Sequence, residues 1–154
     1  MLGCKSCTIT MNPGSIPADV KNISIKYFEN KAAYVNPTLS QKFTELMKDK
    51  FLKQTKLGIV PSDGDFRMSG EIIDYKTEPV ATNSNTGSVK NRFTMTVKAV
   101  FECPTHKDLN FTENFTKFLE FDASQNFQSI EPQLSEDLSN QIIQEIFNKV
   151  VNKF

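Results

Sequence analysis

The cysteines and the single histidine carry the most distinctive chemistry in this chain. Cys4 and Cys7 form a C-x-x-C, while Cys103 lies three residues before His106. A C-x-x-C serves as a redox pair or as half of a zinc site. A structural zinc takes about four ligands, so the three cysteines and His106 would have to combine across most of the chain, with no pair held in a short knuckle. A redox C-x-x-C opens a helix within a βαβ unit, whereas Lys5-Ser6 leads into a polar stretch holding Pro13, Gly14 and Pro17. These residues indicate neither a metal nor a cofactor. Met1-Leu2-Gly3-Cys4 instead reads like the last positions of a lipobox, as in a chain whose signal peptide has been removed. Cys4, directly after Gly3, is the candidate lipid-anchor residue; Cys7 is a tail residue and Cys103 ends a strand.

Other constellations are sparse. A Ser-His-Asp or Cys-His arrangement would have to use His106, which sits in a turn beside Pro104, so an enzyme built on His106 is the weakest of the readings. Neither phosphate-cradling loop, G-x-x-x-x-G-K-[ST] or G-x-G-x-x-G, occurs. Asp63 and Asp65 flank Gly64 but lack the further acids and closing Glu of a calcium loop, so they mark a turn. Binding is better supported. Lys76, Lys90, Arg92 and Lys98 fall on the solvent parity of two strands around a polar tip, where cations can meet phosphate through charge-assisted hydrogen bonds. The competing reading is that they only solubilise an exposed sheet face.

The elements that must position these residues follow from periodicity. Residues 1–19 read as an extended tether and 20–154 as a single domain, in keeping with 154 residues in all. Ile23, Ile25 and Tyr27 alternate with polar neighbours, which predicts a half-buried strand. Asn36-Pro37 opens a helix whose Leu39, Phe43, Leu46, Met47 and Phe51 make one apolar stripe. Phe66, Met68, Gly70 and Ile72 alternate, then Ile73 and Tyr75 take over the apolar parity, which predicts a β-bulge at Ile72-Ile73. Residues 82–88 form a polar hairpin tip. Phe93, Met95, Val97, Ala99 and Phe101 define a third strand; Phe111, Phe115, Leu119 and Phe121 define a fourth, with Phe118 alone on the opposite face. A last helix, its first turn marked by Pro132, carries Leu134, Leu138, Ile142, Ile143, Ile146, Phe147, Val150, Val151 and Phe154.

The order is β-α-β-β-β-α, and the expected fold is α+β: a two-layer sandwich with a four-stranded, mostly antiparallel sheet and two helices packed on one face. Thirteen Phe and no Trp supply bulky rings for a thin core. A net charge of zero gives no field to recruit nucleic acid. No apolar run approaches the ~20 residues that span a bilayer.

Asn36 to Gln54 (NPTLSQKFTELMKDKFLKQ), Gly64 to Tyr75 (GDFRMSGEIIDY), Asn91 to Val97 (NRFTMTV), Phe121 to Asn126 (FDASQN) and Glu145 to Asn148 (EIFN) follow one another in a familiar order. From about Ser15 to its end, the chain resembles the LptE family of lipopolysaccharide-assembly lipoproteins. The resemblance implies a lipid anchor, residence at the periplasmic face of the outer membrane, and a partner: the large β-barrel that inserts lipopolysaccharide, which family members plug and help to fold. It also implies direct contact with lipopolysaccharide through basic residues near a strand tip, a position that Lys90 and Arg92 occupy here. The main alternative is a free-standing periplasmic carrier of a lipid or other apolar ligand, which would need a hollow core.

Overall fold

A computed structural model describes residues 16–81 and 87–152. The anchor candidate Cys4, Cys7, most of the tether, the centre of the hairpin tip and Phe154 lie outside the described residues. The elements are β1 (Asn22–Ile25), β2 (Glu29–Asn30), α1 (Leu39–Gln54), β3 (Gly58–Val60), β4 (Phe66–Val80), β5 (Lys90–Glu102), a 3-10 turn (Lys107–Leu109), β6 (Phe111–Asp122) and α2 (Phe127–Val151). They form one sheet of order β3-β1-β4-β5-β6, with β2 also on β4, and both helices pack on the same face. The long β4–β5 and β5–β6 pairings are antiparallel, as expected from hairpin connections. The expected four strands become six: the short strands β2 and β3 join the edge, and β1 runs parallel to both β3 and β4.

Parity along this edge differs from the simple alternation. Ile23 and Ile25 are buried, but Tyr27 is 55% exposed and Phe28 takes the core position instead. The chain leaves the ladder after Ile25 and rejoins it at Glu29 opposite Glu71, which shifts the side-chain phase. The space Phe28 enters exists because residue 70 has no side chain; a Cβ on Gly70 would run into the Phe28 ring and the Lys98 carbonyl oxygen. The Phe28 N–H is satisfied by the buried hydroxyl of Thr44 on α1 at 3.0 Å. That bond fixes the helix to this edge.

α1 buries Leu39, Phe43, Met47 and Phe51 at four-residue steps, with Leu46 only half-buried at the margin. The Asn36 Oδ1 accepts from the Thr38 N–H at 3.1 Å and the Leu39 N–H at 3.2 Å, but the helix opens at Leu39 with Thr38 as its cap, so Pro37 stands before the first turn rather than in it. The Asn36 amide then donates to Glu131 of α2 at 2.7 Å, and the Tyr75 hydroxyl on β4 donates to the same carboxylate oxygen at 2.6 Å. One polar cluster thus ties the starts of both helices to the sheet.

α2 begins earlier than Pro132 suggests. Its first residue is Phe127, and the cap is Asn126, whose side chain accepts from the Gln128 N–H at 3.0 Å. Pro132 lies inside the helix. There its missing N–H removes one helical bond, the one to the Gln128 carbonyl, in the second turn. Phe127 anchors that extra turn by packing on Phe93 (5.2 Å between centroids) and Phe121 (5.7 Å).

Between the layers the core is closely filled. Phe66 meets Phe101 edge-on at 4.9 Å, Phe93 meets Tyr75 at 4.8 Å, and Phe51 of α1 meets Phe147 of α2 at 5.2 Å. Such tilted ring pairs are the favoured geometry of aromatic quadrupoles. α2 covers β5 and β6 while α1 covers β1, β2 and β3. Outside this core, Lys117 and Glu113 of β6 pair with Glu145 and Lys149 of α2. Among the described residues, no helix is long and apolar enough to cross a membrane.

Candidate functional site

The helices leave the other face of the sheet uncovered, and β5 alternation decides what stands on it. Phe93, Met95, Val97, Ala99 and Phe101 are buried beneath the helices, so Lys90, Arg92, Thr94, Thr96 and Lys98 point the opposite way. Lys76 joins them only because of the bulge. Ile72 pairs with Val97 and Asp74 with Thr96, which leaves Ile73 without a partner and puts Lys76 across from Thr94 on the open face. All the cations singled out from sequence therefore share one face. They do not form one cluster. Lys76, Lys90 and Arg92 gather at the hairpin end, whereas Lys98 stands opposite Glu71 and Asn114, six residues and about 20 Å along the strand from Arg92.

Each cation also has an acidic neighbour, two residues away on the same strand for Lys76 and across the ladder for Lys90, Arg92 and Lys98. Lys76 Nζ lies 3.0 Å from Glu78 and 3.6 Å from Asp74; the Glu78 hydrogen bond, then the Asp74 charge, hold its pKa above the usual lysine value. Lys90 faces Asp122 in the ladder. Asp122 in turn accepts from the Ser124 hydroxyl and N–H at 2.5 and 2.8 Å, and these bonds keep its carboxyl below the usual range. Arg92 donates through Nη2 to Glu120 Oε1 at 2.8 Å, with its guanidinium 4.2 Å from the centre of the Phe118 ring. Its Nε is out of solvent and has no hydrogen-bond partner among the described residues. Phe118 and Glu120 were the members of this arrangement that spacing alone missed. The lone apolar residue on the polar parity of β6 was the available signal for Phe118.

Beside Lys90 a surface concavity of about 520 Å³ runs between the end of β6 and the start of α2. Glu120, Asp122, Phe121, Ile130 and Leu134 line it with Lys90. A larger one, about 550 Å³, opens at the far ends of the helices among Ile16, Val20, Leu57, Phe147 and Val151. Both are open surface clefts.

The remaining candidates have structural partners. His106 Nε2 lies 3.0 and 3.1 Å from the two Asp19 carboxylate oxygens, and that bond lowers the Asp19 pKa. Cys103 is buried, with Sγ 3.5 Å from Thr105 Oγ1 rather than against the imidazole. Asp65 accepts from the Lys21 N–H at 2.8 Å, and the Asp65 N–H donates to Asn22 at 2.8 Å, so the Asp63-Gly64-Asp65 turn is fastened to the start of β1. No grouping of three or more metal-ligating side chains occurs among the described residues.

Residues 20–150 match the family model described as LptE, lipopolysaccharide-assembly. The chain belongs to the LptE family. That family is one of lipopolysaccharide assembly. A search of curated proteins finds no match. Solved structures with the same fold include a minor lipoprotein from Acinetobacter baumannii, at 12% identity and TM-score 0.55, covering 87% of this chain and 94% of that one. Lipoprotein B from Nitrosomonas europaea aligns at 16% identity and TM-score 0.51, over 86% of this chain and 83% of that one. A PelC dodecamer from Paraburkholderia phytofirmans aligns at 10% identity and TM-score 0.53, over 92% and 94%. At these identities the likeness is one of fold, and it agrees with the two-layer α+β arrangement.

Proposed function

We propose that this LptE-family chain is a non-catalytic partner of the β-barrel that inserts lipopolysaccharide into the outer membrane. In this reading Cys4 carries the lipid that holds the protein at the periplasmic face, and the domain plugs the barrel and assists its folding. Lys76, Lys90 and Arg92 meet lipopolysaccharide phosphates, with Lys98 contributing little because it stands apart. The family match over residues 20–150 carries the reading. Physical chemistry supports it in two ways. Several acyl chains, each worth about 0.8 kcal/mol per buried CH₂, anchor a protein firmly without any membrane-spanning helix. A barrel lumen is polar, and the uncovered face offers Thr94, Thr112, Asn114 and Thr116 to such a wall.

The decisive experiment is purification of the full-length lipidated protein from membranes in mild detergent. A large outer-membrane barrel is expected in stoichiometric amount. Recovery of the lipoprotein free of any barrel overturns the assignment.

A further inference from the structure

We infer that the cleft at the tether end of the domain is a docking surface for an anionic phospholipid leaflet, seating that end of the protein on the membrane to which Cys4 fixes it. The inference rests on the reading of Cys4 as the anchored residue. Three observations carry it. Val20, Leu57, Phe147 and Val151 give the cleft, about 550 Å³, an apolar lining. Lys21 and Lys56 stand exposed at its margin without an acidic partner among the described residues, and no carboxylate lines the cleft. Asp19, the nearest acid in sequence, is engaged by His106. Ile16, the first described residue, forms part of the cleft wall, so the tether joins the domain here.

Geometry and charge then choose the occupant. Whatever its conformation, the stretch from Cys4 to Ile16 reaches at most about 40 Å, so an anchored Cys4 keeps the cleft close to the leaflet. Short linkers give effective concentrations on the order of millimolar, and a contact too weak to hold a free protein then suffices. Each lysine near an anionic surface is worth about fivefold in affinity, while the apolar lining meets the upper acyl chains. Lys53 and Lys149, in the last turns of α1 and α2, answer the negative helix ends. A neutral apolar partner would leave Lys21 and Lys56 unanswered, whereas a leaflet supplies apolar depth and an anionic rim together. The cleft lies at the opposite end of α2 from the concavity beside Lys90, so docking leaves the hairpin end free.

The test uses the full chain with Cys7→Ser, coupled through Cys4 to maleimide-bearing vesicles; Cys103 is buried and does not compete. The chain contains no Trp, so Ala18→Trp, at an exposed position on the cleft wall, is a single reporter. On vesicles of phosphatidylcholine with phosphatidylglycerol, its emission is expected to shift to the blue and to be quenched by brominated acyl chains, far more than on phosphatidylcholine alone. Lys21→Gln with Lys56→Gln, checked for folding by circular dichroism, should lower the docked-to-free ratio on the order of twentyfold. An unshifted reporter on the anionic vesicles overturns the proposal, and so does an equal shift on the neutral ones, which removes the role of the lysines. Emission already blue and shielded from acrylamide without vesicles means that the chain itself fills the cleft, and overturns it too. Because the coupling is chemical, none of these outcomes depends on native lipidation. Mass spectrometry of Cys4 in protein extracted from membranes decides that separately.

Discussion

Tyr75 shows how one side chain can join three elements. Its ring is 2% exposed, packed against Phe93, and its hydroxyl donates to Glu131 on α2. Burial, and after it the hydrogen bond to Glu131, push the phenol above its ordinary value of 10.0. The sign of the consequence is fixed by linkage: the unfolded phenol ionises near pH 10 while the folded one keeps its proton, so this contribution is intact below about pH 10 and is lost as pH rises beyond it. Tyr75→Phe should cost about 1–2 kcal/mol at neutral pH and flatten the fall in stability between pH 9 and 11, read from urea midpoints. A variant that loses stability as steeply as the parent over that range contradicts the assignment. At this scale the candidate site was half legible. Strand parity placed Arg92 and Lys90 on one face, but Glu120 is 28 residues from Arg92 and only the β5–β6 register brings them together.

At the scale of elements, the bulge in β4 decides which residues the open face displays. Ile73 has no ladder partner, and beyond it the phase of the strand reverses. Because Ile73 is the extra residue of the bulge, deleting it would join Ile72 and Asp74 as regular neighbours opposite Val97 and Thr96 and leave Tyr75 opposite Met95, facing the core. Deletion of Ile73 should therefore keep a cooperative unfolding transition, and Ile73→Ala, at a 36% exposed position, should shift stability by less than about 1 kcal/mol; denaturant unfolding measures both, and loss of the cooperative transition on deletion contradicts the register. The bulge was readable from the run Phe66, Met68, Ile72, Ile73, Tyr75. The start of α2 was less readable, because Pro132 is the louder signal and Asn126 looks like part of a turn until Phe127 is seen to pack on Phe93 and Phe121. Parallel pairing of β1 with β4 leaves no local trace, since it depends on where α1 returns the chain.

For the whole molecule, covering only one side of the sheet divides the aromatic residues into two populations. Phe93 is fully buried under the helices, whereas Phe118 is 51% exposed on the opposite side. Phe93→Ala should cost about 3–5 kcal/mol, a large share of the roughly 5–15 kcal/mol that holds a domain of this size together. Phe118→Ala should cost under about 1 kcal/mol, since it removes little more than the stacked guanidinium contact; guanidinium chloride melts measure both. Comparable losses would mean that the open face is not open. The outer edge of the sheet has a different consequence. Strand β6 is 12 residues long and ends the sheet, so its free backbone groups would be a template for a stray strand. Glu113 and Lys117 stand on its helix-facing parity, tied to Lys149 and Glu145. A new strand zipping alongside would have to strip water from those charges or pull them from α2. The charges that fasten α2 to the sheet thereby also guard its longest edge against the addition of a foreign strand.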